Sequence, residues 1–203
     1  MTGVLITARF QASRLPGKVM MEVCGRPLLS LLIERLKAST GWDKIILCTS
    51  ESAADDPLAE LARREGVECF RGHLEDVLLR YRGAARHFSL QHLVIADGDD
   101  LFCEPSLVKV VADKLREGFD YVSFQDMPYG SFPYGISVKA LEKVCEMKDE
   151  SETEGWGRYF LIPDLFRTLQ IPAPPEFHHP EYRMTLDYPE DFAFIREVYG
   201  RLY

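Results

Sequence analysis

No stretch of this 203-residue sequence is apolar for long enough to span a membrane, and its opening residues, MTGVLITARF, lack the extended apolar run of a secretory signal. The expectation is a soluble, cytoplasmic protein with no membrane partner. Cysteine is sparse and unpatterned: Cys24, Cys48, Cys69, Cys103 and Cys145 form no C-x-x-C and have no adjacent histidine cluster. That excludes a zinc-finger spacing and argues against a disulfide framework, so these residues are read as small, reduced core side chains. Cations are in deficit, with 24 Lys and Arg against 32 Asp and Glu and a formal net charge of −8. A nucleic-acid partner normally demands a basic face, and none is visible here. A small phosphorylated ligand needs only a local group of cations, so that class survives. No internal repeat or low-complexity tract is present.

What remains is the composition of an ordinary globule, 46% hydrophobic and 28% charged. A chain of this length supports one α/β domain with a real core. Short apolar runs alternate with helical patterns. Strands are expected at Val4–Ile6, Lys44–Thr49, Glu68–Phe70, His92–Ala96 and Tyr121–Phe124. Helices are expected at Pro27–Ala38, Pro57–Glu65, Glu75–His87 and Pro105–Glu117. This alternation predicts an α/β fold with a mainly parallel, doubly wound, Rossmann-like sheet. Ligands of such sheets bind at the carboxyl ends of the strands, which singles out the loops after the first and fourth strands. Beyond Gln125 the pattern loosens. Met127–Tyr134 (MPYGSFPY) reads as a hairpin or lid, and the region around 125–165 as a lid or dimerisation segment of a single domain spanning 1–203. Pro163–Pro180 reads as an irregular connection, Arg183–Leu186 as a strand and Pro189–Leu202 as a closing helix.

The first strand runs into Ala8-Arg9-Phe10-Gln11-Ala12-Ser13-Arg14-Leu15-Pro16-Gly17-Lys18-Val19. Arg9, Arg14 and Lys18 fall close together with Ser, Gly and Pro between them. A polyphosphate needs converging cations and backbone N–H groups, with Arg giving forked contacts and Lys a compact point charge. The loop is not a Walker P-loop, because Ala12 and Val19 stand where that motif requires Gly and Ser or Thr. On physical grounds alone, a phosphate clamp and a basic surface loop both stand. The string nevertheless resembles A-R-x-x-[AG]-S-x-R-L-P-G-K-[VPN], the opening motif of the cytidylyltransferase family. That group holds the CMP-KDO and CMP-sialic acid synthetases and the spore-coat-polysaccharide-type enzymes. Gly25-Arg26-Pro27-Leu28 matches the same family's G-[KR]-P-[LM]. The resemblance implies a nucleotide-diphospho-sugar transferase type of sheet. It also implies that Ala8, Arg9, Ser13, Arg14 and Lys18 bind the nucleotide, CTP.

The fourth strand ends in Asp97-Gly98-Asp99-Asp100. Carboxylates at a strand end beside a polyphosphate loop suit Mg²⁺, which takes oxygen ligands from one or two carboxylates, phosphates and water. A turn in which Asp and Gly satisfy their own backbone is the plain alternative. Leu186-Asp187-Tyr188-Pro189-Glu190-Asp191-Phe192 resembles the family's C-terminal D-T-P-E-D-[FL]. That resemblance implies Asp99 and Asp187 as the Mg²⁺ ligands, with Glu190 and Asp191 at the N-terminus of the last helix.

Phe70-Arg71-Gly72-His73-Leu74-Glu75-Asp76-Val77-Leu78-Leu79-Arg80-Tyr81 resembles the spore-coat-type F-R-G-x-x-x-D-V-L-x-R-[YF], which implies Arg71 as a reader of the base. Asp76 and Arg80 have the spacing of an i,i+4 helix pair. Departures from the family pattern cluster at Asp100-Leu101-Phe102, at Ile136-Ser137-Val138 and at Glu152 to Tyr159, where R-E-H is common, and all concern the acceptor side. The implied activity is transfer of CMP from CTP to an acidic sugar or related acceptor, with Arg9, Lys18, Asp99 and Asp187 catalytic. Pyrophosphate is the other product, cell-surface glycan synthesis the setting and a homodimer the assembly. Another nucleotide, a sugar phosphate or phosphonate acceptor, or a non-catalytic nucleotide-binding module are the competing readings.

Overall fold

Buried aliphatic runs fix the centre of the molecule. The computed structural model describes residues 1–12 and 14–203, so Ser13 lies outside the described residues. Strand β1 (Thr2–Thr7) pairs in parallel with β4 (Lys44–Ser50) on one side and β6 (His92–Asp97) on the other. All three are buried on both faces, as continuous apolar runs in a parallel sheet must be. Strand β5 (Glu68–Gly72) adds to β4, again in parallel. On the far side β8 (Tyr134–Ser137) pairs antiparallel with both β6 and β7 (Tyr121–Gln125), and β9 (Thr168–Pro172) closes the edge parallel to β7. Among the described residues this gives a seven-stranded sheet in the order β5-β4-β1-β6-β8-β7-β9. A two-stranded ribbon, β2 (Glu22–Val23) with β3 (Arg26–Pro27), lies apart from it.

Helices cover both faces. Alternate residues of β1 divide the core: Val4 and Ile6 pack with α1 (Leu28–Lys37), α2 (Asp56–Glu65) and α4 (Pro105–Arg116), whereas Leu5 packs with α3 (Val77–His87) and α5 (Val138–Met147). Helix α6 (Pro189–Leu202) sends Ile195 into the first of these layers. The doubly wound expectation holds, and the order places the switch point between β1 and β6.

Three elements differ from the sequence reading. Ser137 caps α5, its Oγ accepting from Ala140 N at 3.1 Å, and Ala140, Leu141 and Val144 bury one face, although no helix was expected there. Strand β9 lies inside the stretch read as irregular, because pairing with β7, not apolar alternation, makes it a strand. Arg183–Leu186 is not a strand: a single bridge from Tyr129 to Arg183 is all the pairing it has among the described residues. The MPYGSFPY segment joins the antiparallel strands β7 and β8 as a hairpin connection, and its Met127 and Phe132 go into the core.

Two glycines hold the sheet's carboxyl edge closed. A Cβ on Gly98 would stand 2.8 Å from Thr7 O and 2.9 Å from Ala8 Cβ, so its absence lets the ends of β1 and β6 touch. Gly130 has φ +87°, and a Cβ there would meet Thr185 N at 2.7 Å and Asp100 Oδ1 at 2.9 Å.

Candidate active site

A cleft of about 850 Å³ opens at the switch point, walled by the loop after β1, the end of β6, the start of α3 and the segments 152–156 and 185–187. Ala8, Arg9, Arg14, Lys18, Asp99 and Asp187 all line it, so the chain's first, middle and last motifs meet here.

The joint between them is backbone. Leu186 N donates to Asp99 O at 3.0 Å, which lays the residue before Asp187 against the acidic turn after β6. Asp191 Oδ2 accepts from the backbone N–H of both Asp187 and Tyr188 at 2.8 Å, which caps α6 and fixes Asp187 at its start. Lys18 reaches into the gap. Its Nζ lies 2.5 Å from Asp99 Oδ2, 3.0 Å from Asp187 Oδ1 and 2.6 Å from Leu186 O. Burial works against the Lys18 ammonium, but Asp99 and Asp187 outweigh it and hold its pKa above the ordinary lysine value. Burial likewise disfavours the Asp187 carboxylate; hydrogen bonds from Arg183 and Lys18 and the charge of Arg14 outweigh that and lower its pKa.

Asp187 is therefore the hub of three cations. Arg14 Nη1 and Arg183 Nη2 each lie 2.7 Å from its Oδ2. Arg183 carried no role in the sequence reading, and its place four residues before Asp187 gave no signal of one. The turn after β6 is the opposite case. Burial and the neighbouring Asp99 push the Asp97 carboxyl up to about 7, and burial with Asp97 and Asp99 pushes Asp100 well above the usual carboxylate range. Negative charge is crowded there, with Lys18 as its near counter-ion.

Metal fit follows from these contacts. Three oxygens, from Asp99, Asp187 and Leu186, converge within 3.0 Å of one cation, the Lys18 ammonium. All-oxygen donors suit a hard dication such as Mg²⁺. Among the described residues no group of three or more His, Cys, Asp or Glu side chains forms a ready cage. Two carboxylates completed by phosphate and water is the usual arrangement for Mg²⁺, so the residues fit that ion.

Arg9 is engaged already. Its Nη2 lies 2.8 Å from Glu154 Oε1, its Nη1 lies 3.4 Å from Glu75 Oε2, and Nη1 also donates to Leu74 O at 3.1 Å. A polyphosphate reaching Arg9 must displace those carboxylates. Glu154→Gln is expected to tighten nucleotide binding by about two- to fivefold, the scale of an exposed ion pair. Calorimetric titration reads this directly, and an unchanged affinity would show that Arg9 does not meet the phosphates.

A residue the sequence reading missed anchors the loop. Asp55, buried, accepts from Phe10 N at 2.7 Å and from Ser50 N at 3.1 Å, with the Ser50 hydroxyl as a third donor. It ties the loop after β1 to the end of β4. Burial disfavours its charge, but these donors outweigh burial and lower its pKa. Its contribution is thus present above the unfolded aspartate pKa of ~3.9 and is lost as pH falls through the lower folded value. Asp55→Asn is expected to cost about 1–3 kcal/mol at neutral pH. In urea unfolding the gap to the parent protein should close at the most acidic pH, and a gap independent of pH would refute the charge-based account.

Arg71 stands away from the cleft wall. Its Nε donates to Ser50 O at 2.9 Å, its Nη2 to Ser52 O at 2.6 Å, and its Nη1 pairs with Asp56 at 2.6 Å. Asp76 and Arg80 are not a helix pair: Asp76 caps α3 and pairs with Lys148, and Arg80 bonds to backbone carbonyls. Arg158 makes a surface pair, 2.6 Å from Glu150. His178 and His179 are exposed beside Asp126 and Glu181.

Residues 3–198 match the family model described as cytidylyltransferase. The chain belongs to the cytidylyltransferase family. It is 28% identical to the spore coat polysaccharide biosynthesis protein SpsF of Bacillus subtilis, over 97% of this chain and 85% of that one. Its fold is that of a cytidylyltransferase from Leptospira borgpetersenii serovar Hardjo-bovis, with a TM-score of 0.87 and 24% identity over 100% of this chain and 87% of the other. A CMP:2-keto-3-deoxy-manno-octonic acid synthetase solved with CTP superposes with a TM-score of 0.77 at 14% identity, covering 100% and 99% of the two chains. No described helix of this cytidylyltransferase is long and apolar enough to cross a membrane. All five of its cysteines are free, with Cys48 and Cys103 buried.

Proposed function

We propose that this cytidylyltransferase transfers CMP from CTP to an acidic sugar or related acceptor in cell-surface glycan synthesis, as a cytoplasmic homodimer. The observation that carries the reading is the meeting of Lys18, Asp99 and Asp187, with Arg14 beside them, at the carboxyl edge of the sheet. The acceptor class and the assembly rest on family likeness. An acceptor oxygen attacks the α-phosphorus, the bond to the bridging oxygen of the β-phosphate breaks, and pyrophosphate leaves with that electron pair.

In this reading Lys18, Arg14 and Arg9 carry the charge that grows on the departing pyrophosphate. Asp55 keeps the loop that bears them in register with β4. Asp191 and the Leu186–Asp99 hydrogen bond keep the two carboxylates facing one another. Asp99 and Asp187 would hold Mg²⁺, which when bound supplies positive charge for the phosphate oxygens. Positioning and charge neutralisation are then the main catalytic contributions, and no covalent nucleophile is required.

The test is pyrophosphate release with CTP, ATP, GTP and UTP against a panel of acidic sugars, sugar phosphates and phosphonates, with and without Mg²⁺. CTP- and Mg²⁺-dependent release with one acidic sugar supports the reading. Tight CTP binding with no release for any acceptor would instead make the protein a nucleotide-binding module.

A further inference from the structure

Lys18 spends its charge on the two carboxylates that suit a metal. Its Nζ lies 2.5 Å from Asp99 Oδ2, 3.0 Å from Asp187 Oδ1 and 2.6 Å from Leu186 O, and an ammonium has three N–H donors. None is left for a phosphate. The backbone beneath it is pinned: Lys18 N donates to Leu15 O at 3.2 Å, and Met21 N donates to Lys18 O at 3.2 Å across the 3-10 turn Lys18–Met20. Only the flexible side chain, 11% exposed, is free to change partners.

The same three oxygens have the chemistry that a hard divalent cation needs. An ammonium and such an ion repel at contact distance, so they compete for Asp99 and Asp187 and do not share them. A triphosphate changes the balance. It enters the cleft that Lys18, Arg9 and Arg14 line, and its oxygens offer the ammonium a denser negative charge than one carboxylate does. Once Lys18 turns to it, Asp99 Oδ2, Asp187 Oδ1 and Leu186 O face one another with no ammonium between them. Asp187 keeps its direction through this exchange. Arg183 Nη2 holds its other oxygen, Oδ2, at 2.7 Å, and Asp191 Oδ2 accepts from its backbone N–H at 2.8 Å.

Resting on the nucleotide-transfer reading, we propose that Lys18 is an internal counter-ion that bars the metal position until a triphosphate draws it away. Nucleotide and divalent cation then bind with positive coupling through this one side chain, and each raises the affinity of the other. The nucleotide-free protein takes up little free metal. Lys18 thus acts twice, first holding Asp99 and Asp187 together and then meeting the phosphates.

Mn²⁺, an oxygen-seeking stand-in for Mg²⁺ whose free ion is counted by electron paramagnetic resonance, tests this without turnover. In nucleotide-free titrations Lys18→Met is expected to bind Mn²⁺ about tenfold or more tighter than the unaltered protein, because the competing charge is gone. Adding Asp99→Asn to Lys18→Met should cancel that gain. Equal or weaker Mn²⁺ binding by Lys18→Met, or a gain that survives Asp99→Asn, overturns the proposal. Should the variant fail to fold, the Lys18 Nζ resonance of the unaltered protein, labelled at the lysine nitrogens, gives the answer. It should move with CTP in the absence of metal and stay in place with Mg²⁺ alone. No movement with CTP, or displacement by Mg²⁺ alone, overturns the proposal. An unaltered protein that binds no CTP would overturn the nucleotide-transfer reading, and this proposal with it. CTP and Mn²⁺ binding together to the unaltered protein, with no gain in Lys18→Met, overturns this proposal alone.

Discussion

Asp99→Asn combined with Asp187→Asn is expected to abolish Mg²⁺-dependent pyrophosphate release, by about 10³-fold or more, while CTP binding persists. The magnitude follows from removing the charges that organise the reacting phosphate, each worth about 10²–10³ in comparable sites. Persistence of binding follows from where the cations sit. Arg9 is held by Glu154 and Glu75 and by neither aspartate; Arg14 loses its Asp187 partner, but loss of two carboxylates lessens repulsion of a triphosphate. The double variant also strips Lys18 of both counter-ions and leaves Leu186 O as its main partner. Some stability is lost with them, so the assay belongs well below the variant's unfolding midpoint, measured separately. Asp99→Asn alone keeps an oxygen acceptor toward Lys18 and separates charge from hydrogen bonding. Turnover that survives the double change would sink the metal assignment.

Asp76→Ala should be the most damaging single change away from the cleft, costing about 3–5 kcal/mol. Asp76 and Lys148 form a pair whose side chains are 1% and 6% exposed. Truncating the acid leaves a buried ammonium with Glu150 O at 2.7 Å as its remaining partner. The same carboxylate caps α3 through Leu79 N at 3.0 Å and accepts from the Thr153 hydroxyl at 3.1 Å. Lys148→Met removes the cation but leaves those two donors on Asp76, so it should cost less. Thr153 in turn accepts from Leu78 N at 3.2 Å, so the segment carrying Glu152 and Glu154 to the cleft hangs from this one buried site. Urea unfolding of the two single variants and the double variant closes a thermodynamic cycle. The double variant should lose clearly less than the sum of the singles. Additive losses, or a cost for Asp76→Ala below about 1 kcal/mol, would show that the pair does not carry the segment.

Membership of the cytidylyltransferase family leaves the acceptor to be found. The sequence departures at 100–102, 136–138 and 152–159 now have locations. Asp100 is buried against Thr185 beneath Gly130, Ile136–Ser137 closes β8 and caps α5, and Glu152, Glu154 and Trp156 reach the cleft. The second change is absorbed by the fold, whereas Asp100 and the 152–156 segment both line the cleft.

Local sequence was enough for the architecture of the first two-thirds. Val4–Ile6, Lys44–Thr49 and His92–Ala96 are apolar runs with a single comfortable fate, buried parallel strands, and the helices between them each bury an apolar stripe. The loop after β1 and the turn after β6 were legible as a candidate site because strand ends at a switch point are where such sheets bind. Edge strand β9 was not legible, since a half-exposed strand bearing Pro172 takes its identity from its neighbour β7. Nor was Arg183–Leu186, which among the described residues has one bridge to Tyr129 and no partner strand, and which delivers Asp187. The sequence by itself determined that three cations follow the first strand and that acids follow the fourth. Only the tertiary structure decided that Lys18 bridges Asp99 to Asp187, that Asp55 latches the loop, and that Arg80 lines the cleft while Arg71 bonds to Ser50, Ser52 and Asp56. Those are contacts across 45 to 169 residues of chain or choices between two residues of one motif, and no local periodicity encodes either.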